Sequence, residues 1–188
     1  MRRECREAPH AFLFFGVFSG FEETFPEVRK LIVERFGAIH PQGESPSYPF
    51  PETRTYRRTM GSGLRRKFYV LEDLWPQTCL ARAKHASLDM EKIIEESHEF
   101  PVERPVNIDP GLVNDCRVLL ASTKDYSHRI YRESGIWEEV TLVFEKGAYR
   151  SLPWTYPDFN SPAYHEFFER FRNELLERLR REAGIGDP

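Results

Sequence analysis

The chain predicts an α+β fold: a single domain in which a mixed or mainly antiparallel sheet is packed by three helices and carries a long central hairpin. Three observations lead there. Its 188 residues suit one domain with a sizeable core, and 40% hydrophobic against 30% charged residues is a globular balance. Strand-length apolar runs are joined locally, with helical periodicity between pairs of strands rather than after each one. Residues 116–144, CRVLLASTKDYSHRIYRESGIWEEVTLVF, open and close as apolar strands around a polar middle.

The domain is placed at residues 11–184, between tails 1–10 and 185–188. Arg2, Arg3 and Arg6 precede the apolar run AFLFFGVF. Glu4 and Glu7 spoil a basic leader, however, Gly16 interrupts the run, and no small-residue cleavage site follows. No other stretch approaches the ~20 apolar residues of a membrane span, so a soluble, cytoplasmic protein is expected. Cys5, Cys79 and Cys116 form no CxxC pair, which fits free thiols in a reducing compartment. A net charge of -3 gives no whole-molecule attraction to nucleic acid or anionic lipid.

Residues 11–18 read as a buried strand. Past Ser19 and Gly20, Thr24 and Glu27 have capping-box spacing, with Pro26 near the first helical position. Phe25, Val28, Leu31, Ile32 and Phe36 mark the face of that helix, and Gly37 suits its end. Glu22 and Glu23 put negative charge at the helix start and argue against a phosphate there. Residues 41–51 form a Pro- and Ser-rich loop, and residues 53–56 and 67–71 read as strands flanking Gly61 and Gly63. Arg54, Arg57, Arg58, Arg65, Arg66 and Lys67 lie in this segment with no acidic residue among them, beside Tyr56 and Phe68. Such a patch suits phosphates or RNA, and it suits the solvated face of a hairpin equally.

Residues 76–97 read as a helix with Leu80, Ala83, Ser87, Met90 and Ile94 on its apolar stripe. Lys84 and Glu91 fall near that stripe; they either point into a site or, as expected, snorkel from its edge to water. Residues 104–108 form a short strand, and Asp109-Pro110-Gly111 has the chemistry of a tight turn. In a last helix over 161–183, Ser161 caps, Pro162 takes the first turn and Gly184 ends it. Its apolar face is Tyr164, Phe167, Phe168, Phe171, Leu175 and Leu179.

The central hairpin supports two readings. A turn centred on Glu133 and Ser134 pairs Tyr131 with Ile136, Arg129 with Glu138 and His128 with Glu139, so that charges neutralise across the strands. Glu138 is then the one carboxylate in the row Ile136, Glu138, Val140, Leu142 and Phe144. In the functional reading, a loop or bulge joins Asp125 to His128 as a general acid–base pair. Lys124 and Arg129 contact an anion, and Ser122 and Thr123 donate hydrogen bonds. Asp109, Tyr156 and Asp158 arrive from neighbouring turns to complete the pocket. Against this, Asp125 and Ser127 equally suit the backbone groups of a bulged turn.

No P-loop, HExxH, G-x-S-x-G or G-x-G-x-x-G motif is present. Asp109, Asp125, His128 and Asp158 are too scattered to assign a metal, and no cofactor is indicated.

The segments RPVNIDPG (104–111), LASTKDYSHRIY (120–131), GIWEEVTL (135–142) and WTYPDF (154–159) resemble the DUF4416 family of bacterial and archaeal proteins. FFGVFSG (14–20) and TMGSGLRRKF (59–68) extend the resemblance over nearly the whole chain. It implies no activity. The family pattern has an acidic residue before the Met-Gly pair, where Thr59 stands here, so a catalytic role for that segment is not expected.

The leading expectation is a small enzyme acting on an anionic, phosphorylated or nucleotide-like ligand at the hairpin. The alternative is a non-catalytic RNA- or protein-binding module using the basic patch between Arg54 and Lys67.

Overall fold

The first strand organises the structure, a computed structural model that describes Cys5, residues 7–51 and residues 53–182. In β1 (Ala11–Ser19), Ala11, Leu13, Phe15 and Val17 point to one face of the sheet and Phe12 and Phe14 to the other. Both faces are covered, which is why the run is apolar throughout instead of alternating. On one side α1 (Thr24–Phe36) contributes Phe25, Val28 and Ile32, and α3 (Leu80–Ser97) contributes Leu80, Ala83, Met90 and Ile94. On the other, α4 (Pro162–Glu182) lays down Tyr164, Phe167, Phe168, Phe171 and Leu175, the row its 3.6-residue period predicts.

The remaining strands are β2 (Ile39–Glu44), β3 (Tyr48–Pro49), β4 (Arg65–Trp75), β5 (Val106–Val113), β6 (Arg117–Ser122), β7 (Ile130–Glu133), β8 (Ile136–Glu145) and β9 (Ala148–Ser151). They form one nine-stranded sheet of order β2-β4-β1-β5-β6-β8-β7, with β3 on β4 and β9 on β8, and every pairing is antiparallel. β1 and β2 run parallel with β4 between them, and β4 and β5 run parallel with β1 between them. These are two interlocked split βαβ units built around α1 and α3. The rest of the sheet extends this unit with antiparallel strands, β8 lying between β6 and β7, so the chain is a single α+β domain, as expected. No described helix is long and apolar enough to cross a membrane.

Several local expectations are overturned. Residues 53–56 are not a strand: α2 (Arg54–Met60) starts there, making four helices among the described residues where three were expected. Thr53 caps it by accepting from the Tyr56 N–H at 3.2 Å, a side-chain bond that strand propensity does not register. The capping box at α1 does not form either. Thr24 is buried and donates its hydroxyl to the Phe21 carbonyl at 2.7 Å. The 41–51 loop contributes β3 and part of β2. Gly184 lies outside the described residues.

Asp109-Pro110-Gly111 is no turn; β5 runs straight through it. A Cβ on Gly111 would lie 2.3 Å from both the Leu119 carbonyl oxygen and the Phe14 ring, so glycine is required there by close approach. Pro110 has a different consequence. Asn114 N–H bonds Arg117 O on β6, so the backbone groups of Ile108, Pro110 and Leu112 also point away from β1. Pro110 has no N–H to offer on that side, and pairing of β5 with β6 is confined to Gly111–Val113. The sheet forks at the proline.

Candidate functional site

Below the fork, α3 supplies what β6 does not. Glu91 Oε1 accepts the Ile108 N–H at 2.7 Å, and Lys84 Nζ donates to the Ile108 carbonyl at 2.8 Å. Seven residues apart, Lys84 and Glu91 share one helix face; the Lys84 side chain is buried and that of Glu91 is 12% exposed, and both bond the strand edge rather than snorkelling to water. Lys84 also donates to Asp109 Oδ1 at 2.9 Å, and Asn107 Nδ2 donates to Asp109 Oδ2 at 2.6 Å. Arg104 closes the ring with bonds to Glu91 and Asn107. Burial opposes the charge of Asp109, but Lys84 and then Arg66 hold its carboxyl below the usual range. For Glu91 burial wins over Lys84 and Arg104 and pushes the carboxyl up.

The hairpin turns at Ser134 and Gly135, both with positive φ (49° and 78°), one residue later than expected. A bulge at Arg132 then shifts the register again, so Tyr131 faces Trp137 and Ile130 faces Glu138. A bulge at Thr141 also breaks the anticipated row along β8: Ile136 joins the core under α1 and α3, whereas Leu142 joins the core under α4. Arg129 consequently pairs with Glu139, not Glu138. Glu138 lies 3.2 Å from Arg132 Nε without an aligned hydrogen bond, and burial raises its pKa.

Arg129 is almost fully enclosed. Its Nε donates to Glu139 Oε2 at 2.7 Å, Nη1 to Ser122 Oγ at 2.5 Å and to the Lys124 carbonyl at 3.0 Å, and Nη2 to Tyr156 Oη at 2.9 Å. The guanidinium also covers the Tyr126 ring at 4.6 Å. It is a scaffold for the loop rather than an available anion contact.

His128 Nε2 lies 3.1 Å from the same Glu139 Oε2. A carboxylate held by a guanidinium accepts only, so Nε2 carries the hydrogen and the neutral ring presents its lone pair at Nδ1. Thr141 Oγ1 reaches the other Glu139 oxygen at 3.3 Å. The imidazole stacks on Trp154 (5.2 Å between centroids, 10° between planes) and on Tyr126 (5.9 Å, 26°). Tyr156, whose phenol is pushed up by burial, senses the charges of Arg129 and Glu139 and also that of Asp109.

Of the residues singled out in the sequence, the fold brings Ser122, His128, Arg129 and Tyr156 together, with Asp109 in the adjoining network. Thr123, Lys124 and Asp125 are exposed in the loop, and the carboxylate that meets His128 is Glu139 rather than Asp125. Asp158 is elsewhere, 3.0 Å from Arg66 Nη1 under the α4 side of the sheet. No group of three His, Cys, Asp or Glu among the described residues is placed to hold an ion. The basic patch is broken up too: Arg66 is buried, Arg65 bonds Ser47, and Lys67 bonds Glu44 at 2.5 Å. Arg54, Arg57 and Arg58 remain exposed on α2.

Sequence reasoning gave Glu139 a place only in cross-strand pairing and passed over Trp154 and Tyr126 as site residues. The available signal was the pair of adjacent acids, Glu138 and Glu139, in a strand where one of the two must face inward.

The family model described as a domain of unknown function, DUF4416, matches residues 9–175. No curated protein and no solved structure matches the chain.

Proposed function

This chain belongs to the DUF4416 family, and from the site's geometry we propose that it is a small cytoplasmic enzyme acting on an anionic, phosphorylated or nucleotide-like ligand with His128 as general acid–base. One observation carries the reading: an imidazole whose Nε2–H is held by a buried carboxylate, with Nδ1 left to act. Glu139 stabilises the imidazolium that forms when Nδ1 takes a proton from a ligand hydroxyl or a water, and Arg129 keeps Glu139 from rotating away. Lys124, exposed in the loop that Arg129 ties down, supplies positive charge for an anionic group. Asp125 has no part in the dyad.

Thermal unfolding against nucleoside monophosphates, ribose 5-phosphate and inorganic phosphate tests the reading. A ligand at a hundred times its Kd should raise stability by about 2.7 kcal/mol. His128→Gln and Glu139→Gln should abolish turnover of that ligand. No stabilisation by any probe in the unmodified protein overturns the proposal.

The RNA-binding alternative retains the three exposed arginines of α2. It predicts salt-dependent RNA affinity that falls when Arg54, Arg57 and Arg58 are replaced.

A further inference from the structure

Seven large apolar side chains are exposed among the described residues, and five of them, Tyr126, Ile130, Tyr131, Trp154 and Tyr156, lie on the hairpin and the 152–156 turn. Such a concentration at one end marks a binding surface more than chance exposure does. Trp154 differs from the rest in how it is held. Its indole N–H donates to the Val140 carbonyl at 2.8 Å, fixing the edge of the ring. Thr155 pins the same turn to the β8 bulge, donating to the Thr141 carbonyl at 2.5 Å and accepting the Leu152 N–H at 2.8 Å. The indole is nonetheless 39% exposed and lies within 10° of parallel to the His128 ring.

A ring that has committed its only polar group internally can offer a ligand nothing but its π surface. Since the ring is already immobile, stacking on it costs little further side-chain entropy. A flat, aromatic ligand group uses that surface best. A sugar ring would need polar partners around its rim, which the indole edge, occupied by Val140, does not provide.

We propose that Trp154 is the base-stacking shelf of a nucleotide site, carrying a purine in preference to a pyrimidine because the larger ring covers more of the indole. The inference rests on the nucleotide-like reading above and specifies where the base lies. His128 already covers one face of the indole, at 5.2 Å between centroids, so the base takes the opposite face and its sugar and phosphate must pass the edge of the indole to meet the imidazole.

Titration calorimetry with AMP, UMP and ribose 5-phosphate tests this on the unmodified protein, Trp154→Phe and Trp154→Ala. The expected order of affinity is AMP, then UMP, then ribose 5-phosphate. Trp154→Ala should weaken AMP by about 5- to 160-fold, the range of one base–aromatic stack. Trp154→Phe, which keeps a ring, should retain most of the affinity, and ribose 5-phosphate should bind all three proteins alike. Thermal unfolding of each variant checks that the 152–156 turn is intact. Equal affinity for AMP and ribose 5-phosphate, or AMP affinity unchanged in Trp154→Ala, overturns the shelf and leaves the enzyme proposal standing. If Trp154→Ala weakens ribose 5-phosphate instead, the shelf carries a sugar and the inference is wrong. No binding of any of the three removes both proposals.

Discussion

Arg66 and Arg129 are the two buried arginines among the described residues, and the fold accommodates their charge in opposite ways. Arg66 sits over the rings of Phe18, Phe50, Phe68 and Phe159 at 4.8 to 5.9 Å, with Asp158 at 3.0 Å. Its Nε has no partner, and Asp158 Oδ2 is close to Nη1 without being aligned for a hydrogen bond. Arg129 has one ring beside it and a hydrogen bond from every nitrogen. Ring quadrupoles and a nearby charge are tolerant of direction, so Arg66 is a packing element of the core. Hydrogen bonds are directional, so each one that Arg129 makes fixes a residue of the candidate site. A buried cation is thus a poor guide to function by itself. What it is bonded to decides.

The largest effect should follow from breaking the first arrangement. Arg66→Met leaves Asp158 buried without its counter-charge and should cost about 3–5 kcal/mol in urea unfolding. Adding Asp158→Leu should restore much of that loss, because no uncompensated charge then remains. Arg129→Met should cost less, about 2–3 kcal/mol, since His128 still donates to Glu139. Nitrogen NMR of the His128 ring should at the same time still show the Nε2–H tautomer, because the bond to Glu139 that sets it is kept.

A third pair sharpens the contrast through pH. Asp109 and Glu91 both lie near Lys84, at 2.9 and 3.9 Å, yet their shifts have opposite signs. Asp109 is lowered, so its contribution is present above the unfolded value near ~3.9 and is lost as pH falls through the folded value below it. Glu91 is raised, so its contribution is present below ~4.3 and is lost as pH rises through its higher folded value. Unfolding series from acid to neutral pH should therefore show Asp109→Asn losing its disadvantage in acid. Glu91→Gln should gain on the unmodified protein toward neutrality. Parallel pH profiles for the two variants would contradict the assignment.

The smallest effect belongs to Lys124 and Asp125, which are exposed and make no side-chain bond among the described residues. Replacing either by Ala should change stability by less than ~0.5 kcal/mol. Any change in ligand binding by Lys124→Ala is then a property of the site and not of the fold.

The sequence alone determined the apolar central strand, the helix faces of α1, α3 and α4, and the existence of a polar loop between two apolar strands at residues 122–129. These are local periodicities of 2 and 3.6 residues, legible wherever the chain repeats them. It also placed Ser122, His128, Arg129 and Tyr156 among the residues of one site. Cross-strand pairing had also set Glu139 against His128, and tertiary structure chose that contact over the Asp125–His128 dyad; it alone decided that Arg129 bonds Glu139 and not Glu138, through the shifted turn and the bulges at Arg132 and Thr141. It alone turned the expected Asp-Pro-Gly turn into a strand, since Gly111 is needed where Phe14 and Leu119 approach and Pro110 ends the pairing with β6. Lys84 and Glu91 became hydrogen-bonding partners of β5 for the same reason. The open edge of Ile108 needs a donor and an acceptor, and the nearest came from a helix that is distant in sequence and adjacent only in the folded chain.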